Sequence, residues 1–212
     1  MQSAEIKSRL REMPRFQRIE LYLPFPQGMH NQHMLEPGTK APDFQLPNAN
    51  PNSGGHTVTL QDVLEENGGV VFFTCNHCPY VVGSEPRIER VAEVARRNQL
   101  GFVGINSNDP VNYESDSWEN MVKRSKRGMT YPYLHDSSQE VAHAYSAERT
   151  PEFYLLDSDS TVVYRGRLDD SPRDPSHATT SELEDAIDEH VKGKTVSIPR
   201  TESIGCSVKW KE

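Results

Sequence analysis

The pattern of apolar and polar positions is clearest over residues 70–106. Residues 70–74, Val-Val-Phe-Phe-Thr, form a short apolar run that predicts a buried strand. Residues 78–99 carry apolar side chains three and four positions apart, which predicts a helix with one buried face. That face is formed by Ile88, Val91, Val94 and Ala95. Because residues 100–106 form a second apolar run, we predict a β–α–β unit with parallel strands and a right-handed crossover.

Weaker patterns precede this unit. Residues 56–60 alternate between polar and apolar side chains, which suits a short strand. Thr59 is placed to cap a helix over residues 60–67, which Gly68-Gly69 would end. The chain before residue 35 is interpreted as an extension of the domain.

Alternating helices and strands follow the unit. A polar helix is predicted over residues 113–128, with Ser115 or Asp116 as its cap, and a shorter one over residues 139–145. Two apolar runs around the turn at residues 157–160 predict a β-hairpin. A last helix is predicted over residues 180–193. We therefore divide the chain into an extension (1–34), an α/β domain (35–197) and a tail packed on that domain (198–212).

Composition and charge exclude several classes of protein. The 212 residues carry a net charge of −8, whereas a general nucleic-acid binder needs a basic surface. Only 34% of residues are hydrophobic, and no run approaches the roughly 20 apolar residues of a membrane span. The N-terminal residues lack the apolar core of a secretory signal. We therefore expect a cytoplasmic protein with neither nucleic-acid nor membrane partners.

The chemistry of the chain is concentrated in its cysteines. Three cysteines are too few for a disulfide scaffold, but Cys75 and Cys78 are two residues apart where the predicted strand meets the predicted helix. The positive end of a helix favours a thiolate, so redox chemistry is the first interpretation. A metal site is the second, although His77 and a distant histidine would have to complete it. A purely structural role is the third.

Several motifs carry a family resemblance. Residues 38–44, residues 75–79 (Cys-Asn-His-Cys-Pro) and Thr150-Pro151 at the start of a strand resemble thioredoxin-like redoxins. Closer still, residues 105–109, 164–170 and 205–210 resemble the peroxiredoxin-like thioredoxin-family proteins, within the AhpC/TSA and TlpA-like redoxins. The resemblance covers residues 35–212. It implies an α/β thioredoxin-like fold, with a central mixed β-sheet flanked by helices.

The resemblance also implies roles for residues of the Cys-x-x-Cys motif. Cys75, as the more exposed thiol, would be the attacking thiolate, and Cys78 would resolve the mixed disulfide. His77 would stabilise the thiolate. Pro79 belongs to the same motif.

A second group of roles concerns the segment around Thr150. Pro151 would be in the cis form and would face the two cysteines. Thr150 would offer its backbone groups to an extended substrate. Arg149 would favour the thiolate if its side chain reached the sulfur atoms.

The chain departs from the family pattern at two places. No threonine stands three residues before either cysteine, where peroxiredoxins have one. Gly69 occupies the place of the buried acid that thioredoxins use as a base, so Glu65, Glu66, Glu85 or water would have to replace it.

Two further features stay open. Cys206 in the tail is either a packing residue, a third redox thiol or the site of an intersubunit disulfide. Asn106, Asn108 and Asp109 follow a parallel strand at its C-terminal end, where sites in such sheets occur, but a loop leading into a helix is the plainer interpretation.

The sequence thus predicts an enzyme, a thiol–disulfide oxidoreductase that needs no cofactor and no metal. The alternatives are a thiol peroxidase that reduces hydroperoxides and a non-catalytic binding module with a redoxin fold. Its partner would be a disulfide-containing protein or a small thiol or disulfide, and the chain would be a monomer or a homodimer. The physiological direction of the reaction depends on a reduction potential that the sequence does not give.

Overall fold

A five-stranded mixed sheet lies at the centre of the computed structural model, which describes residues 34–212. The predicted extension, residues 1–34, lies almost wholly outside the described residues. The strands are β1 Gln45–Pro47, β2 Thr57–Thr59, β3 Gly69–Phe73, β4 Gly101–Asn106, β5 Tyr133–His135, β6 Arg149–Thr150, β7 Glu152–Leu156, β8 Val162–Gly166 and β9 Cys206–Ser207. The helices are α1 Leu60–Val63, α2 Pro79–Arg97, α3 Trp118–Ser125, α4 Glu140–Ala144 and α5 Glu182–Val191. Short 3₁₀ turns occupy Glu114–Asp116 and Pro175–His177.

The order of strands in the central sheet is β5-β4-β3-β7-β8. Strand β3 pairs in parallel with β4 and antiparallel with β7, and β4 pairs in parallel with β5. Strands β7 and β8 form the predicted hairpin. The predicted β–α–β unit and the predicted mixed sheet flanked by helices are therefore confirmed.

Burial on both faces explains why β3 is an unbroken apolar run. Alternate side chains of a strand point to opposite faces. Val71 and Phe73 belong to one hydrophobic cluster, whereas Val70 and Phe72 belong to a second cluster that includes the buried face of α2. Strand β3 thus lies between two layers of core, and its C-terminal end leads into the cysteine motif.

Two predicted helices differ from the structure. Helix α1 has the predicted Thr59 cap, reinforced by Asp62, but it ends at Val63 because Leu64 is extended and Glu65 and Gly68 close a tight turn. The single helix predicted over residues 113–128 is a 3₁₀ turn followed by α3. Asp116 does not cap α3, because its carboxylate is turned into the protein interior.

The tail contributes a strand of its own. Strand β9 pairs antiparallel with β6, which places Cys206 opposite Thr150. Next to it, Val208 is buried and its backbone N–H donates to the carbonyl oxygen of Glu148. Among the helices of residues 34–212, none combines the length and the apolar character needed to cross a membrane.

Candidate active site

The two cysteines of the motif lie at the junction of β3 and α2. Cys75 comes two residues after the end of β3, and Cys78 is the cap residue that immediately precedes α2. Pro79 occupies the first helical position, where its fixed backbone angle fits and its missing N–H is not needed. The structure gives Cys75 no appreciable exposure over Cys78. Both cysteines are buried, at 1% and 0% exposure, and Tyr80 and Cys206 pack against them.

Thr150 contacts both sulfur atoms. Its hydroxyl lies 3.4 Å from Cys75 Sγ, and its carbonyl oxygen lies 3.2 Å from Cys78 Sγ. The Thr150–Pro151 peptide bond is cis, as the family resemblance implied. Residues that are more than 70 positions apart in the sequence therefore form one site.

The backbone of Thr150 is not free to receive an extended substrate, contrary to the expectation. Strand β9 already pairs with it, and Cys206 faces it directly. This pairing requires Gly205, because a Cβ atom at that position would lie 2.2 Å from the carbonyl oxygen of Thr150. The tail of the chain therefore occupies the edge that the sequence assigned to a substrate.

Asp116 lies in this cluster, although the sequence analysis considered it only as a helix cap. Its side chain is fully buried and its two oxygens accept hydrogen bonds from four groups. The donors are the backbone N–H of Asn76 (2.6 Å), the amide of Asn106 (3.2 Å), the amide of Asn108 (2.9 Å) and His77 Nδ1 (2.7 Å). The signal available in the sequence was the pair of asparagines after β4, at the carboxyl end of a parallel strand.

Asp116 is also a buried acid near Cys75, which Gly69 cannot provide. One donor atom each from Cys75, His77 and Asp116 lies within 4.8 Å of the others. The acids proposed from the sequence do not replace it, since Glu65 and Glu66 are exposed and Glu85 pairs with Arg124. The acid therefore reaches Cys75 from the loop after β4 instead of from the strand before the motif.

His77 is held in a fixed orientation. Its Nδ1 faces Asp116, and its ring stacks on Tyr113 with centroids 5.3 Å apart. Asp116 and Tyr113 thus fix the ring of His77 beside the cysteine pair, and its stabilisation of a thiolate stays a prediction.

Interaction within the cysteine pair shifts the pKa values of the two thiols in opposite directions. The hydrogen bond with Cys78 raises the pKa of Cys75, and burial and the carboxylate of Asp116 raise it further. The same thiol–thiol hydrogen bond lowers the pKa of Cys78, against the effect of burial, and a hydrogen bond from Cys206 also lowers it. These directions favour a thiolate on Cys78, whereas the family resemblance implied one on Cys75.

Cys206 lies beside this pair, although the sequence left its place open. It is half-buried, and it packs against the cluster formed by Cys75, Cys78 and Val81. Burial, together with the hydrogen bond and the negative charge of Cys78, raises the pKa of Cys206 to about 11.

Arg149 is exposed, and its guanidinium donates to the carbonyl oxygen of Gly205 at 3.3 Å instead of to the Cys75 or Cys78 sulfur. Its positive charge acts on Cys206, whose pKa it lowers slightly against the larger raising effects. The residue expected to favour the thiolate of the pair is thus placed beside the third thiol.

A metal ion is the other ligand that this cluster could hold. Cys75, His77 and Asp116 offer three donor atoms, with Asp116 in place of the distant histidine considered from the sequence. A closed zinc site needs four ligands, and within residues 34–212 no fourth Cys, His, Asp or Glu joins the three. Both oxygens of Asp116 are already engaged by hydrogen bonds.

Comparison with known proteins identifies a matching family and similar solved structures. A model of the Redoxin family matches residues 36–187. The structure is similar to that of an uncharacterized conserved protein from Geobacillus kaustophilus, with 41% identity, a TM-score of 0.77 and coverage of 84% of this chain and 94% of that one. A hypothetical protein from Sinorhizobium meliloti gives 36% identity, a TM-score of 0.76 and coverage of 84% and 97%.

A more distant likeness concerns the fold alone. The exposed lipoprotein thioredoxin of Streptococcus pneumoniae is 20% identical, with a TM-score of 0.52 and coverage of 72% of this chain and 99% of that one. None of the curated proteins compared matches the chain. The central mixed sheet and the helices that flank it thus form a thioredoxin-like fold.

Proposed function

The chain belongs to the Redoxin family, and we propose that it acts there as a thiol–disulfide oxidoreductase whose reactive groups are Cys75 and Cys78. The observation that carries the proposal is the pair of buried cysteines that share one cluster at the start of α2, with the buried acid Asp116 beside Cys75. A nucleophilic thiolate and a second thiol with a base nearby are what two-step disulfide exchange requires.

The electrostatics of the pair support a definite order of attack. The Cys78 thiolate attacks one sulfur of a substrate disulfide, forms a mixed disulfide and releases the first substrate thiolate. Cys75 then gives its proton to the Asp116–His77 pair and attacks Cys78 Sγ. The mixed disulfide breaks, the second substrate thiolate leaves and a Cys75–Cys78 disulfide remains. Two electrons pass from the protein to the substrate, and the reverse sequence oxidises a substrate dithiol.

This order reverses the roles that the family resemblance implied for Cys75 and Cys78. Asp116 favours the protonated form of Cys75 in the resting state and can accept that proton when Cys75 attacks. The predicted cytoplasmic setting, in which glutathione keeps thiols reduced, makes oxidised glutathione the first substrate to test.

The experiment uses the Cys206→Ser protein, so that the third thiol does not interfere. After treatment with oxidised glutathione, peptide mapping should find a Cys75–Cys78 disulfide, with the loss of two hydrogens. Cys75→Ser/Cys206→Ser should accumulate glutathione on Cys78, whereas Cys78→Ser/Cys206→Ser should react slowly. Accumulation in the second variant instead would restore Cys75 as the attacking residue.

Other results would overturn the oxidoreductase proposal itself. A pair that stays reduced across the range of glutathione ratios would do so. Stoichiometric zinc that blocks thiol labelling would favour the binding-module alternative. Rapid consumption of hydroperoxide coupled to a thiol reductant, with slow exchange against disulfides, would favour the peroxidase alternative.

A further inference from the structure

The reactive pair and the third thiol differ in access to solvent. Cys75 and Cys78 are buried beneath the tail, whereas Cys206 is half-buried on strand β9. Strand β9 pairs with β6 in a register that sets Cys206 opposite Thr150, whose carbonyl oxygen contacts Cys78 Sγ at 3.2 Å. Cys206 is thus the thiol of the cluster that is nearest to solvent, and it adjoins Cys78.

We propose that Cys206 exchanges disulfide bonds with Cys78 and so carries redox equivalents between the buried pair and thiols outside the protein. The proposal rests on the oxidoreductase function proposed above, because it requires a Cys75–Cys78 disulfide as its starting point. It assigns Cys206 a direct part in the reaction.

The protons and electrons of this exchange balance with the three thiols of the chain and one external thiol reductant. Cys206 loses its proton and its sulfur attacks Cys78 Sγ. The Cys75–Cys78 bond breaks, and its electron pair and one proton go to Cys75. A small external thiol then attacks Cys206 Sγ of the new Cys78–Cys206 disulfide and releases the Cys78 thiolate. A second small thiol frees Cys206, so that two external thiols become one disulfide.

The electrostatics of the site agree with this direction. Two of the causes that raise the pKa of Cys206 are its hydrogen bond to Cys78 and the negative charge of Cys78. Both disappear when Cys78 is part of a disulfide, while Lys209 and Arg149 continue to lower that pKa. Oxidation of the pair therefore activates Cys206. In the second step, Cys78 is a good leaving group because its thiolate is stabilised.

The pairing of β9 with β6 gives a reason for such a route. An extended substrate would have to displace β9 in order to pair with Thr150, and Gly205 lets this strand approach the Thr150–Pro151 segment closely. Exchange through Cys206 reaches the buried pair without that displacement. Small thiols, of the chemical class of glutathione, are the reductants that fit a half-buried sulfur.

Three single variants, each of which retains two thiols, test the proposal by disulfide mapping after limited oxidation with diamide. Cys75→Ser should form a Cys78–Cys206 disulfide within one chain. Cys78→Ser, the matched control, should form no disulfide between Cys75 and Cys206. Cys206→Ser should still form the Cys75–Cys78 disulfide.

A rate measurement separates a relay from mere proximity. Starting from the oxidised protein, reduction by glutathione should be slower by about tenfold or more in Cys206→Ser than in the wild type, because an intramolecular thiol acts at millimolar or higher effective concentration. Ser207→Ala, at the neighbouring position of β9, should leave the rate unchanged.

The outcomes distinguish the two proposals. If Cys206→Ser forms its disulfide but Cys75→Ser forms none, or if the reduction rate is the same with and without Cys206, the relay is overturned while the oxidoreductase function stands. A Cys75–Cys206 disulfide in Cys78→Ser would also overturn the relay. If Cys206→Ser forms no Cys75–Cys78 disulfide, the oxidoreductase function itself fails.

Discussion

At the scale of single residues, the site depends on where one negative charge resides. Two buried sulfurs and a buried carboxylate cannot all be ionised at low cost, so hydrogen bonds decide which group keeps its charge. Cys78 receives hydrogen bonds from two thiols, whereas Cys75 lies beside Asp116.

Cys75→Ala tests this assignment. It removes the donor that lowers the pKa of Cys78 most, so this pKa should rise towards the ordinary thiol range. As the pH falls, the thiolate of Cys78 should therefore be lost at a higher pH in the variant than in the wild type. A pH titration of ultraviolet thiolate absorbance measures the midpoint. Cys206→Ala should raise it less, and a larger effect of that control would contradict the assignment.

The lowered pKa of Cys78 also makes the stability of the reduced protein depend on pH. The contribution of the Cys78 thiolate to the reduced protein is fully present above the unfolded-state thiol pKa of ~8.5 and declines as the pH falls towards the folded value. The oxidised protein has no such thiolate, so its stability should not follow this pattern.

Asp116→Asn tests the carboxylate. An amide places an N–H₂ group where the carboxylate only accepted hydrogen bonds, so at least one of the four donors would face another donor. We expect a loss of ~1–3 kcal/mol in the free energy of unfolding, measured in urea. Glu114→Gln, the same change at an exposed position two residues earlier, is the control. Equal effects of the two substitutions would show that the Asp116 cluster does not stabilise the site.

At the scale of elements, the sequence pattern predicted those helices and strands whose formation depends on neighbouring residues. The β–α–β unit follows from the apolar run of β3 and the helical spacing in α2, which are properties of contiguous sequence. The pairing of β6 with β9 joins two-residue strands that are 56 positions apart, too short to show any periodicity. Asp116 was assigned to a helix cap because an aspartate near the start of a helix usually has that role. Its actual partners come from the loop after β4 and from the cysteine motif.

Gly205→Ala tests the pairing of β9. The added Cβ would lie 2.2 Å from the Thr150 carbonyl oxygen and 2.7 Å from its carbonyl carbon. Because both are backbone atoms, a side-chain rotation cannot relieve this clash and the backbone itself has to move. Strand β9 should separate from β6, and alkylation of Cys206 by iodoacetamide should accelerate while the central sheet stays folded. Ser207→Ala adds no atom, so it should not change the alkylation rate. An unchanged rate in Gly205→Ala would mean that the close approach is not maintained in solution.

At the scale of the whole molecule, a buried ion pair links the central sheet to the segment that carries Thr150. Arg165 on β8 is fully buried and donates to Glu152 on β7 at 2.9 Å, and it also donates to the carbonyl oxygens of Leu35 and Ser146. Glu152 in turn accepts the backbone N–H groups of Glu148 and Arg149. The geometry of the Thr150 segment is therefore tied to charges in the core.

Arg165→Met tests this link, because it removes the cation and leaves the carboxylate of Glu152 buried. Losing one partner of a buried pair costs ~3–5 kcal/mol, and the two remaining backbone donors to Glu152 place the expected loss in unfolding free energy near the lower end. Arg97→Met, which removes one partner of an exposed pair with Glu93, should have little effect. If the unpaired charge is the cause, Arg165→Met/Glu152→Gln should be more stable than Arg165→Met alone. A double variant that is less stable than the single one would instead assign the loss to the packing of the arginine side chain.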